Sequence, residues 1–178
     1  MPLMISGAFL HQLKNRMKEH HFEFKYQVFN DISELNEADA WLLQEARSVT
    51  EQAYAPYSNF HVGAVAMLEN GEVVAGTNQE NASYPVGICA ERVLLGSVAT
   101  LHPNVKVKSI AISYNSKDST SDHPISPCGM CRQSLLEYES RTHHPIRIIL
   151  SGQEGKVYII ETAAHLLPFA FTGDELAG

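Results

Sequence analysis

Nowhere in this chain do apolar residues run for the ~20 positions that a membrane-spanning helix needs. Met1–Leu10 has no basic lead and no small-residue cleavage pattern before His11, so no signal peptide is expected either. Cysteine is scarce: Cys89, Cys128 and Cys131 are the only three in 178 residues. Three cannot all pair within one chain, and without a secretion signal a disulfide framework is a poor explanation. Positive charge is also short, with 13 Lys and Arg against 20 Asp and Glu. The net charge of −7 repels polyphosphate and argues against a general nucleic-acid binder. Charged residues make up only 19%, which argues against wholesale disorder. What is present is 44% hydrophobic residues, enough to fill one core. The expectation is a cytoplasmic chain whose cysteines form a metal site or a catalytic thiol.

The first ~36 residues differ from the rest. They hold three of the nine histidines, a basic amphipathic stretch around His11–His20 and the alternating run Phe22–Val28. A candidate helix and an extra edge strand follow from those patterns. Asp31-Ile32-Ser33-Glu34 is a candidate helix cap. Residues 37–178 are expected to form one domain. Ala38, Trp41, Leu42, Ala46 and Val49 make a helical stripe over Glu37–Gln52. Phe60–Leu68 and Glu72–Thr77 read as strands joined by the hairpin turn Asn70-Gly71. Helices are expected at Ile88–Leu101 and Cys128–Ser140, the second opened by Pro127. Strands are expected at Val105–Tyr114, Ile146–Ser151 and Lys156–Glu161. Thr162 can cap a short terminal helix ending at Leu167. A hairpin followed by strands alternating with helices predicts a three-layer α/β fold with a mixed five-stranded sheet.

Cys128-Gly129-Met130-Cys131 places two thiols three apart on one helical face. Cys89 stands 39 positions earlier, also at a helix start. Helix N-termini favour the thiolate, the form that binds zinc. Three protein ligands leave a fourth tetrahedral position open, as in catalytic zinc sites. A redox pair, or three inert buried cysteines, would share this spacing. Glu91, two residues after Cys89, is either an ordinary acidic residue in a first helical turn or a general acid/base beside the metal. A ligand-x-Glu followed by Pro-Cys-x-x-Cys is the signature of zinc nucleobase deaminases. Here it stands as Cys89-Ala90-Glu91 and Pro127-Cys128-Gly129-Met130-Cys131.

The chain resembles the cytidine deaminase family in its homotetrameric three-cysteine branch, from about Ala46 to Leu176. Besides the two cysteine motifs, the likeness is carried by Tyr54-Ala55-Pro56-Tyr57-Ser58-Asn59-Phe60, Val62-Gly63-Ala64, Gly76-Thr77-Asn78-Gln79-Glu80-Asn81-Ala82-Ser83-Tyr84 and Leu166-Leu167-Pro168. The extension and the long loop Asn115–Ser126 depart from it, and neither is expected to touch the chemistry. The resemblance implies one zinc ion per subunit on Cys89, Cys128 and Cys131. It also implies hydrolysis of cytidine and 2′-deoxycytidine to the uridines and ammonia in pyrimidine salvage. Glu91 is then the catalytic residue, carrying protons to ring N3 and to the departing amino group. Zinc with three thiolates carries a net −1, which Arg92, hydrogen-bonded to the sulfurs, would offset. Asn78 and Glu80 alternate at a strand end and would hold the ribose hydroxyls, although an exposed turn pair looks the same. Phe60 would stack on the base, and Ala90 would line the substrate site. Phe171 would be donated by a neighbouring subunit of a homotetramer, while Phe169 is expected to dock on its own core. A nucleoside is the implied small-molecule partner, with no nucleic acid and no membrane.

Overall fold

Helix formation begins where Asn36 accepts a hydrogen bond from the Asp39 N–H at 3.0 Å, satisfying one of the free donors of a first helical turn. The resulting α1 (Glu37–Val49) carries Glu37 and Asp39 at its positive end and Arg47 at its negative end. The computed structural model describes residues 18–176. The helix starts at Glu37 as expected, but its cap is Asn36, five residues beyond Asp31, which caps only the short turn Ile32–Glu34. The buried stripe of α1 is Leu42, Leu43, Ala46 and Val49, whereas Trp41 is 43% exposed. Leu43 therefore takes the core position that the stripe reading assigned to Trp41.

The strands are β1 (Gln27–Phe29), β2 (Phe60–Leu68), β3 (Val73–Thr77), β4 (Val107–Ser116), β5 (Arg147–Ser151) and β6 (Val157–Ile160). They form one sheet in the order β1-β6-β5-β4-β2-β3. Only β4 and β5 run parallel, linked through a helix; every other pairing is antiparallel. The mixed sheet expected from the sequence is there, with six strands in place of five. Side chains alternate between the faces. Val65, Ala111, Ile149 and Ile159 meet α1 on one face. Ala64, Ile110, Ile112, Ile148 and Leu150 meet α2 (Ala90–Leu101) and α3 (Gly129–Thr142) on the other. This gives helix, sheet and helices as three layers.

One glycine sets how closely α2 lies on the sheet. A Cβ at Gly76 of β3 would stand 2.4 Å from the Leu94 nitrogen and 2.5 Å from the Ala90 carbonyl oxygen. Without a side chain there, the start of α2, with Cys89 and Glu91, settles directly against the β3 edge.

The sixth strand comes from the N-terminal extension. Gln27, Val28 and Phe29 pair with Ile159, Tyr158 and Val157. The strand expected over Phe22–Val28 is shorter because its partner runs out: after Ile160 the chain turns into the Ala163–Leu166 turn. Phe22 and Phe24 instead lay their rings against His165, at centroid distances of 6.4 and 5.6 Å, and Tyr26 meets Tyr158 at 5.2 Å. All three remain substantially exposed. The helix expected around His11–His20 falls mainly outside the described residues.

Candidate active site

Cys89 and Cys128 hold equivalent places, each being the residue just before its helix with an extended backbone. Pro127 blocks helix on its N-terminal side and so delivers Cys128 to that position. Cys131 follows in the first turn of α3, fully buried. Two helix N-termini thus aim three sulfurs at one point. Cys89 Sγ lies 3.7 Å from Cys128 Sγ, and Cys128 Sγ lies 3.5 Å from Cys131 Sγ. All three sulfurs stand within 4.8 Å of one another. Tetrahedral zinc–sulfur bonds of about 2.3 Å require sulfur separations of about 3.8 Å. Two of the three separations are close to that value and the donor set fits a zinc ion, and among the described residues no fourth His, Cys, Asp or Glu joins it.

One of the three sulfurs, that of Cys89, is poised to lose its proton. A hydrogen bond from the Cys131 thiol is the main cause pulling Cys89 down to about 6, with smaller help from Cys128 and the positive charge of Arg92. Cys131 is pushed up, first because it is the donor to Cys89 and then by burial. A thiolate shared among thiols is the state from which a soft cation displaces the remaining protons.

Glu91 stands in the first turn of α2 and is 5% exposed. Burial raises its carboxyl above the usual carboxylate range. A carboxyl held this way exchanges protons closer to neutral pH, the property a general acid/base requires.

A cavity of about 440 Å³ joins these groups to the rest of the predicted site. Cys89, Cys128, Ala90 and Glu91 line it together with Phe60, Asn78 and Glu80. Phe60 stacks on Tyr114 with centroids 4.9 Å apart and planes 19° apart, which fixes its orientation at the cavity wall. Asn78 ties itself to β2, accepting from Val62 N–H at 2.7 Å and donating to the Phe60 carbonyl at 2.9 Å. One amide hydrogen and one lone pair remain for a ligand. Glu80 accepts from Tyr57 N–H at 2.8 Å and from the Ser58 hydroxyl at 2.5 Å. The Ser58 hydroxyl is the chief cause holding that carboxylate below its usual range.

Two other expected residues stand apart from the cavity. Arg92 faces a separate groove with Leu95, Tyr138 and Arg141. No hydrogen bond from its guanidinium to sulfur is found among the described residues; its charge reaches Cys89 through space. Phe171 is 59% exposed and does not line its own chain's cavity, while its carbonyl accepts from Gln133 Nε2 at 2.8 Å. Phe169, expected on its own core, is 94% exposed, because it lies between the Ala163–Leu166 and Gly173–Glu175 turns on a segment with neither helix nor strand to carry the ring inward.

The sequence reading assigned no role to Ser58, Val62, Ile125 and Ser126, all of which line the cavity. The long loop is therefore part of the site, contrary to expectation. Ser126 could have been found from its place beside Pro127-Cys128. For Ile125 no sequence signal distinguishes a cavity wall from a loop residue.

Fold and site together define a zinc-ligating α/β protein with one buried carboxyl beside the metal position, the class of zinc-dependent hydrolases. Residues 36–144 match the family model described as "Cytidine and deoxycytidylate deaminase zinc-binding region". A cytidine deaminase of Mycoplasma genitalium is 38% identical over 136 residues, covering 76% of this chain and 89% of the relative. One from Halalkalibacterium halodurans is 37% identical over 135 residues, covering 76% and 95%. The crystal structure of cytidine deaminase from Burkholderia pseudomallei aligns with a TM-score of 0.65 at 36% identity, covering 77% of this chain and all of that one. The chain belongs to the cytidine and deoxycytidylate deaminase family.

Proposed function

We propose that this protein hydrolyses cytidine and 2′-deoxycytidine to uridine and 2′-deoxyuridine with release of ammonia, a step of pyrimidine salvage. The observation that carries this reading is the cavity, with Cys89, Cys128 and the buried Glu91 carboxyl at one end, Cys131 buried behind them, and Phe60, Asn78 and Glu80 around the rest. We assign Cys89, Cys128 and Cys131 as the zinc ligands. Zinc held there supplies Lewis acidity, which makes water a nucleophile at neutral pH. Glu91 takes the proton from that water and delivers it to ring N3, which makes C4 electrophilic. The hydroxide bonds to C4, and Glu91 then moves the proton of the added hydroxyl to the amino group, which leaves as ammonia while the C4 carbonyl forms. One carboxyl serves both transfers because it returns to the ionised form between them. Phe60 offers the base the ring face that Tyr114 leaves uncovered, and the free valences of Asn78 and Glu80 suit ribose hydroxyls. Arg92 offsets the charge of the thiolates through space.

No Lys or Arg lines the cavity, and Glu80 is its second carboxylate, so a neutral nucleoside suits it better than a phosphorylated one. The same deficit disfavours a polynucleotide. Among the described residues no helix is long and apolar enough to cross a membrane. Residues 37–178 serve as the deaminase domain, and 1–36 as an extension that adds β1.

The working form is a homotetramer in which Phe171 completes the cavity of a neighbouring subunit. Its exposure, with that of Phe169 and Tyr84, leaves large aromatic surface to be covered by association. Zinc content and ultraviolet loss of substrate test the activity, with cytidine, deoxycytidine, deoxycytidylate, cytosine and single-stranded DNA offered side by side. Turnover of both nucleosides by a zinc-loaded protein is expected; activity confined to another substrate refutes the assignment. Mixing inactive Glu91→Gln and Phe171→Ala proteins tests the shared site. Activity above both parents after subunit exchange is expected, and none after demonstrated exchange rules it out.

A further inference from the structure

Two buried acids are left unused by the deamination chemistry: Asp39, which is paired with Arg147, and Glu139. Glu139 lies in α3, is 8% exposed, and has no Lys or Arg paired with it among the described residues. Its oxygens accept instead from Ile146 N–H at 2.6 Å, Ala163 N–H at 2.8 Å, Ala164 N–H at 3.0 Å and the Thr162 hydroxyl at 2.9 Å. The carboxylate therefore caps the Ala163–Leu166 turn from across the fold, doing for that turn what an N-cap residue does locally.

The far end of the same turn leads to the cysteines. The Leu166 carbonyl accepts from Arg132 Nη1 at 3.2 Å, and Arg132 Nε donates to the Pro127 carbonyl at 2.8 Å. The Arg132 main-chain N–H also donates to the Cys128 carbonyl at 2.9 Å. A guanidinium is one rigid fork, so the place of Leu166 constrains the place of Pro127. Cys128 is the sulfur ligand that most depends on such bracing. It is exposed where Cys131 is buried, and it stands at the N-cap of α3, where its carbonyl accepts the first helical hydrogen bond but its side chain makes no cap bond.

We propose that Glu139 and Arg132 are positioning residues for metal binding: through the Thr162–Leu166 turn they hold Pro127 and thereby set where Cys128 Sγ stands relative to the other two sulfurs. This rests on the assignment of the three cysteines as zinc ligands. Neither residue lines the substrate cavity, so the effect is on zinc affinity first and on turnover only through it.

The test is competition for zinc between the protein and a chromogenic chelator, run on the full chain as Arg132→Lys, Glu139→Gln, the double variant and Cys128→Ala, with melting temperatures in parallel. Arg132→Lys keeps the charge but cannot span both carbonyls, and zinc affinity should fall about 10-fold, the lower end seen when partners of metal ligands are removed. Glu139→Gln should weaken zinc similarly. The double variant should be no weaker than the worse single one, because both act through one turn. Should Glu139→Gln not fold, Arg132→Lys decides alone. Parent-like zinc affinity in these variants with only a lower melting temperature overturns the proposal, and so do additive losses of zinc affinity in the double variant. If Cys128→Ala itself retains parent affinity, it is the ligand assignment that fails.

Discussion

Replacing Glu91 by glutamine is the perturbation that most directly tests how this cavity would work. The amide keeps the size and shape of a side chain that is 5% exposed, so the packing at the start of α2 is preserved. What it removes is the capacity to cycle a proton. General acid/base catalysis contributes about 10²–10⁴-fold, so the barrier should rise by about 2.7–5.5 kcal/mol at 1.36 kcal/mol per decade. Initial rates of cytidine loss on protein with verified zinc content measure this. Near-parent turnover in a zinc-replete Glu91→Gln protein would refute the role. A second readout has an opposite sign. Burial raises the folded-state pKa of Glu91 above its unfolded value. Ionisation therefore opposes folding: the cost is absent below the unfolded pKa and grows as pH rises through the folded one. Glutamine cannot ionise, so in zinc-free protein the variant should melt above the parent at about pH 8, with the gap closing toward about pH 4. A variant that loses activity and stability together at high pH would point to lost packing instead.

Arg92→Ala should leave the fold intact and lower turnover or zinc retention, because the thiolates lose a compensating charge; unchanged kinetics and zinc content would make Arg92 a groove residue only. Gly155 has φ +77°, and a Cβ there would stand 2.1 Å from the Asp122 carbonyl oxygen, so Gly155→Ala should displace the loop that ends in Ile125 and Ser126. The backbone conformation alone costs about 1–2 kcal/mol, and KM should rise along with a lower melting temperature; an unchanged KM would detach that loop from the site. Amide hydrogen exchange should be slower over residues 27–29 than over 20–24, since only the former pair with β6. Uniformly fast exchange across 20–29 would remove the sixth strand.

Most elements could be read from the chain because their causes are local. β2 lies where the Asn70-Gly71 turn places it, and α2 and α3 each begin one residue after the cysteine expected near their start. The misreadings are equally physical. Trp41 and Leu43 both satisfy a helical stripe, and only the direction in which α1 meets the sheet selects Leu43. Phe22–Val28 alternates like a strand throughout, yet a strand extends only as far as its partner, and β6 ends at Ile160. Phe169 is apolar enough for a core, but Pro168 leaves it on a segment that has no inward face.

The sequence by itself determined the two halves of the sulfur cluster, because Cys89 with the Glu91 carboxyl, and Cys128 with Cys131, are each specified within a few residues at a helix start. Tertiary structure alone decided that Cys89 closes the 39 positions to Cys128 to within 3.7 Å. It also made Ile125 and Ser126 a cavity wall, and it turned Glu139 from one more helical acid into the cap of a turn that belongs to another segment. These depend on which distant backbones come to lie side by side, and no periodicity or composition within either segment encodes the identity of its neighbour.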